Sequence, residues 1–258
     1  MIGLALESGG SRGAYQVGVV KAFVEAGYCF TGFVGTSIGA INAAAFAQGD
    51  LDKAAGMWEE ISNEKLFDAG TYKFLKLGEL KWDMKVLTDA SKGFIRIVLE
   101  HGMDTTRIRE FIARNISEEK IRTSGCDFGL VTISIFERKP YELFLEDIAN
   151  GELLTYIAAS ACVPGFKPVV IGDRTFIDGC LHSSCPINML IEKGYKEIIA
   201  IRTNLPGVFR KVKLPHDVKL KVIEPKHNLG NPMIFSPEKA KENIELGYDD
   251  GVKALRVC

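Results

Sequence analysis

Two short apolar runs, each stopped by glycines and followed at once by a helical pattern, lie within the first fifty residues. Ile2 to Leu6 is apolar and ends at Ser8-Gly9-Gly10, as a buried strand entering a turn would. Ser11 to Ala26 carries Ala14, Val17, Val20, Phe23 and Val24 at helical spacing and stops at Gly27, a common helix C-terminal residue. Phe30 to Val34 reads as a second strand, and Ile38 to Gln48 as an Ala-rich helix slim enough to lie close against a sheet. Strand–turn–helix repeated this early predicts an α/β fold, with helices on both faces of a mainly parallel sheet in three layers.

The rest of the chain fits that frame. Asp50 to about Ser124 is mainly helical and more charged, and reads as a cap-like insertion over a site. Strands are expected at Phe128–Phe136, Tyr141–Leu145, Lys167–Ile171, Arg174–Ile177, Glu197–Arg202 and Lys219–Glu224. Helices are expected at Leu154–Ser160 and at Pro186–Lys193, the latter ended by Gly194. Ser236-Pro237 has the form of an N-cap and first residue of a final helix. With no repeat or linker, residues 1–258 read as one domain: a core over about 4–203, the insertion at about 50–124, and a strand and helix in 204–258.

Composition narrows the function. A chain of 258 residues with 47% hydrophobic and 25% charged residues can fold without disulfides or metal. The 32 basic and 33 acidic residues nearly cancel, so nothing favours a nucleic acid partner. The start carries no basic leader, and Phe33–Ala47 is too short and too often broken by Gly35, Thr36, Ser37, Gly39 and Asn42 to span a bilayer. A cytoplasmic protein is the expectation. Six cysteines include no Cys-x-x-Cys pair, and Cys180-x4-Cys185 has no second pair to complete a metal site. Reduced thiols and no metal or cofactor are expected.

Gly35-Thr36-Ser37-Ile38-Gly39 matches Gly-x-Ser-x-Gly between a strand and a helix. A turn that lifts a serine hydroxyl out of the backbone leaves no room for Cβ atoms at its flanks. A serine hydroxyl needs a base, and Asp178-Gly179 follows the apolar Thr175-Phe176-Ile177, so Asp178 would emerge at a strand's C-terminal end. Ser8 to Gly13 opens the first helix with free amides. A dinucleotide loop would want glycine where Ser8 stands and an acidic residue near Tyr28–Phe33. An oxyanion hole built on the Gly9 and Gly10 amides fits better beside a serine elbow.

These segments, with Ala158-Ala159-Ser160 through Pro164, resemble the patatin-like phospholipase family over roughly residues 4–203. The resemblance implies a catalytic dyad in which Ser37 is the nucleophile and Asp178 the base. It also implies an oxyanion loop with donors at Gly9, Gly10 and Ser11, supported by Arg12, Gly13, Gly35, Gly39 and Gly179. Lipid or fatty-acyl esters would be the substrates, with transient contact to a membrane surface and no calcium. Phe67, Tyr72, Phe74 and Trp82 are candidates for an apolar rim or for the core. Two departures stand out: Ser8 replaces a usual glycine, and Cys180 replaces a small residue beside the base.

Three other readings remain open at this point. A Ser-His-Asp esterase would draw its base from His101, His182, His216 or His227, of which His182 fits the chain order. A transacylase would differ only in the acceptor of the second step. A lipid-binding regulator would keep the scaffold without turnover. A dyad predicts no loss of rate from protonating an imidazole between about pH 7 and 5.5, and excluding water can raise the carboxylate's basicity above its reference pKa of about 4.

Overall fold

The computed structural model describes residues 1–67, 102–205 and 207–256. The described strands are β1 (Ile2–Leu6), β2 (Phe30–Thr36), β3 (Asp127–Ser134), β4 (Lys139–Phe144), β5 (Val169–Ile171), β6 (Arg174–Asp178), β7 (Glu197–Ile201) and β8 (Lys219–Ile223). The helices are α1 (Ala14–Glu25), α2 (Ile38–Ala47), α3 (Leu51–Glu59), α4 (Asn63–Leu66), α5 (Thr106–Asn115), α6 (Glu118–Thr123), α7 (Leu153–Ser160), α8 (Ile187–Lys193) and α9 (Pro237–Arg256). Most predicted elements occur with ends moved by one or two residues. The first helix differs more, because Gly10–Gly13 winds as a 3₁₀ turn before α1 begins. Tyr72, Phe74, Trp82 and His101 lie outside the described residues, as does much of the expected insertion.

One sheet runs in the order β5-β6-β3-β2-β1-β7-β8, with β4 also paired to β3. Strands β3, β2, β1, β7 and β8 are parallel, while β4, β5 and β6 pair antiparallel. Alternation divides the core between two faces. Leu4, Leu6, Phe33, Leu130, Ile199 and Ile201 join the larger core with α1, α2 and α7. Ala5, Val34, Val131, Ile198 and Ala200 join Ile187, Met189 and Leu190 of α8. Being buried on both sides explains why β1 and β7 read as unbroken apolar runs.

Helix ends follow the expected chemistry. Gly194 stops α8 in the left-handed conformation at φ 99, and Ser236 Oγ accepts the Lys239 amide at 3.1 Å to open α9. All ten residues of α2 are buried, so its alanines serve close packing. Helices α1 and α9 pack closely, and their backbones meet at glycines. A Cβ on Gly18 would sit 1.9 Å from the Ile244 carbonyl oxygen, and one on Gly247 2.0 Å from that of Tyr15.

This crossing yields a paired prediction. Gly18→Ala forces two backbones apart and should lower unfolding free energy by about 1–3 kcal/mol. Gly56→Ala, inside α3 with nothing within 4 Å of a new Cβ, should raise it by about 0.5–1 kcal/mol. Urea denaturation of both variants checks the contrast, and equal signs would contradict the packing described.

Candidate active site

Strand β3 brings the site together. Its residues 127–131 pair with parallel β2, and its residues 132–134 pair with antiparallel β6. Strand β4 pairs with residues 129–134 and so takes the opposite edge throughout. Strands β2 and β6 therefore run toward each other along one edge of β3. Thr36 faces Val131 and Asp178 faces Thr132, the very next residue. Ser37, the residue after Thr36, meets Asp178 across this gap although 141 positions of sequence separate them.

Ser37 occupies a sharp turn at φ 59 and ψ −126, a conformation that costs a non-glycine residue on the order of 1–3 kcal/mol. Its surroundings over-determine it. The Ser37 amide donates to Ser160 Oγ at 3.0 Å, and its carbonyl accepts the Ala40 and Ile41 amides at 2.9 and 3.2 Å. A Cβ on Gly35 would lie 2.1 Å from the Gly39 carbonyl oxygen, and one on Gly39 2.4 Å from that of Leu6. Both flanking glycines are thus required by close approach. Ser160, at the end of α7, carries no signal in the sequence beyond its place in the Ala158-Ala159-Ser160 run. Its hydroxyl's role depends on a contact 123 positions away.

Asp178 is fully buried. Its Oδ1 accepts the Cys180 amide at 2.8 Å, and its Oδ2 has no hydrogen-bond partner among the described residues. Burial raises its pKa to about 6, against the opposing pull of the nearby Ser37 hydroxyl and the Cys180 amide. The hydroxyl is close enough to exert that pull yet makes no hydrogen bond of ordinary geometry with the carboxylate, a looseness common in unliganded sites. Burial alone thus moves this carboxylate's pKa into the range of an imidazole.

The loop Ser8–Gly13 divides by its hydrogen bonds. The amides of Gly9 and Gly10 have no acceptor among the described residues. The Ser11 amide donates to the Pro232 carbonyl at 2.8 Å and its hydroxyl to Asn231 O at 3.0 Å, so Ser11 is corrected from free donor to anchor. Gly10, at φ 54, lies where a Cβ would be 2.1 Å from Pro232 O. Arg12 is half-buried, with its guanidinium held by three backbone carbonyls. Its Nε bonds Gly230 O at 2.9 Å, and its Nη1 bonds Thr203 O and Asn204 O at 3.3 and 2.9 Å. Gly13 packs against Ile38 and Trp58, and Gly179 against the Val131 backbone, with no room for a Cβ at either. Ser8 is tied down through its hydroxyl, 2.6 Å from Ser184 Oγ. Burial beside Asp178 holds the Cys180 thiol well above its ordinary pKa, so that departure adds bulk without a thiolate.

Ser37, Asp178, Gly9 and Gly10 line one cavity of about 290 Å³ whose other walls are mostly apolar, including Ile41, Leu66, Phe111 and Phe166. Pro232, Met233 and Phe235 close it from the C-terminal segment. No histidine lines it among the described residues. His182 instead sits 3.4 Å from Glu142, its pKa lowered chiefly by burial. Phe67 is buried against Phe166 and Phe235 at 5.8 and 6.2 Å, which assigns it to the core rather than to an exposed rim.

The family model for patatin-like phospholipases matches residues 4–191. The chain belongs to that family. An NTE family protein of Mycobacterium tuberculosis is 27% identical over 80% of this chain and 31% of its own length. YqhO of Bacillus subtilis is 26% identical over 75% of this chain and 68% of its own. A lysophospholipase of Aspergillus terreus shares 53% identity over 47 residues, 18% of this chain and 3% of its own. The chain spans about a third of the length of the mycobacterial relatives it matches. VipD from Legionella pneumophila has the same fold, with a TM-score of 0.59 over 98% of this chain and 66% of that one at 13% identity. The sheet with helices on both faces is thus the patatin fold. Among the described residues no helix is long and apolar enough to cross a membrane.

Burial of Asp178 has a consequence for stability with a definite sign. Its folded pKa of about 6 lies above the unfolded value of about 3.9, so the folded state binds the proton more tightly. The penalty for ionising it is fully present above pH 6 and gone below about pH 4. Asp178→Asn should therefore be more stable than wild type by about 1–3 kcal/mol at pH 8 and equal to it near pH 4, read by denaturant unfolding at both values.

Proposed function

We propose that this chain is a serine acyl hydrolase that cleaves lipid acyl esters through an acyl-enzyme. The observation that carries the reading is the meeting of a strained Ser37 and a buried Asp178 at an apolar cavity, beside two glycine amides that, like Asp178 Oδ2, have no partner among the described residues. Ser37 Oγ attacks the ester carbonyl carbon as its proton passes to Asp178 Oδ2. The Gly9 and Gly10 amides, with the N-terminal end of α2, stabilise the oxyanion. Collapse breaks the bond to the alkoxy group, which leaves as the alcohol with the proton from Asp178. Water then attacks the acyl-enzyme, giving its proton to Asp178, and the acid leaves as Ser37 recovers that proton.

A carboxylate near its reference pKa is a weak base, and a pKa of about 6 brings Asp178 closer to the working pH. The apolar walls supply the desolvation that does this and suit an acyl chain. Family membership and the lysophospholipase relative support a lipid ester as substrate. Substrates of this class sit in lipid surfaces, so transient contact with one is part of the reading.

Turnover of p-nitrophenyl butyrate in EDTA tests it. Wild type should be active, with kcat/KM falling as pH drops through about 6. Ser37→Ala and Asp178→Asn should each lower kcat by at least about 10²–10⁴-fold with the circular dichroism spectrum unchanged, and His182→Ala should stay close to wild type. Near-normal turnover by Asp178→Asn with loss in His182→Ala would establish a histidine base instead. Mass spectrometry of lipid reactions with wild type and Ser37→Ala then identifies the ester class.

A further inference from the structure

Glu7 is a fully buried carboxyl outside the cavity that the hydrolytic steps above do not use. It directly follows β1, and its side chain reaches across to the turn that follows β7. There Oε2 accepts the amides of Thr203 and Asn204, the latter at 3.2 Å, with Arg202 Nε 3.8 Å away. Oε1 is buried with no partner among the described residues, and so is Arg202 Nε. A lone unpaired carboxylate oxygen in the interior is costly, and its retention calls for a reason.

The reason lies in what Thr203 and Asn204 hold. Thr203 Oγ1 donates to the Ser8 carbonyl at 2.6 Å. Gly9 lies so close to Thr203 that a Cβ would be 2.5 Å from that same Oγ1. Arg12 donates to the carbonyls of both residues. Asn204 is itself held in the left-handed conformation at φ 53. The glycine-rich loop is thus braced on one side by a turn whose amides end on a single carboxylate.

We propose that Glu7 is a positioning residue for the oxyanion hole, acting through the 203–204 turn to fix where the Gly9 and Gly10 amides point. The proposal rests on the hydrolase reading. Oxyanion donors must be aimed at a charge that exists only in the transition state, so a shift in the loop lowers kcat and leaves KM in place. The charged and titratable groups facing Glu7 are Arg202 just after β7, Arg12 from the loop and Cys185 ahead of α8. Burial outweighs them and the amide hydrogen bonds, and moves the Glu7 pKa to about 7. Protonation then weakens its hold on the turn, so the acid limb of the rate should contain Glu7 as well as Asp178.

The test is kcat and KM for p-nitrophenyl butyrate between pH 5 and 9, on the full chain, for wild type, Glu7→Gln and Thr203→Val. Wild type should lose kcat/KM toward a two-proton slope below pH 6. Glu7→Gln should show a kcat about 10-fold lower at pH 8 with KM unchanged, and only the one-proton limb near pH 6 should remain. Thr203→Val keeps the side-chain volume and removes the bond to Ser8, and should lower kcat similarly while keeping both ionisations. It carries the test should Glu7→Gln not fold. A wild-type kcat in either folded variant, a rise in KM in place of the fall in kcat, or a two-proton limb that survives in Glu7→Gln would overturn the proposal alone. No turnover by wild type would instead overturn the hydrolase reading, and this proposal with it.

Discussion

Two strands of opposite direction share one edge of β3 and stop at adjacent residues of it, and the site depends on that collision. Neither strand can continue, because each would run into the other. Their backbones must leave the sheet at Ser37 and at Gly179, and both exits turn toward the same space. The hydrogen-bond ladder of β3 thus sets the Ser37–Asp178 separation with the rigidity of a sheet. Thr132 Oγ1, bonded to the Ile177 carbonyl at 2.7 Å, and the Asp178 amide, bonded to Cys162 O at 2.8 Å, hold the β6 end in register.

That arrangement concentrates unfavourable terms in one place. Ser37 sits in a sparsely populated backbone conformation, Asp178 is a fully buried carboxyl with one oxygen unpartnered among the described residues, and Glu7 lies buried beside an incompletely paired arginine. Raising Asp178 from 3.8 to about 6 alone corresponds to about 3 kcal/mol against ionisation. Two apolar cores, one on each face of the sheet, offset these costs. The region beyond residue 191, outside the family match, also takes part. Gly230, Asn231 and Pro232 supply carbonyls that fasten Arg12 and Ser11, while Asn63 is bonded to the backbone of Met233 and Phe235 in the same segment.

Much of this was legible in the sequence where the determinant is local. The glycines flanking Ser37 announce an elbow because nothing larger fits, and Gly194 and Ser236 announce helix ends because their neighbours need them. The fold class follows from strand–turn–helix units whose apolar spacing changes within a few residues. What stayed hidden depends on distant partners. No local signal says that Pro232 occupies the Ser11 amide, that Ser160 braces Ser37, or that Arg12 spans two loops. The raised pKa of Asp178 likewise belongs to its burial, which no local signal reports. Phe67 shows the same limit, since an aromatic residue in a helical insertion reads equally as rim or core.

The proposal that Ser37 is the nucleophile can be tested on the protein itself. Intact-mass spectrometry after treatment with a fluorophosphonate, followed by peptide mapping, measures this directly. The account predicts one covalent adduct per chain, located on Ser37, with none formed by Ser37→Ala. Absence of an adduct on the folded wild-type protein, or an adduct that maps to another residue and persists in Ser37→Ala, would contradict it.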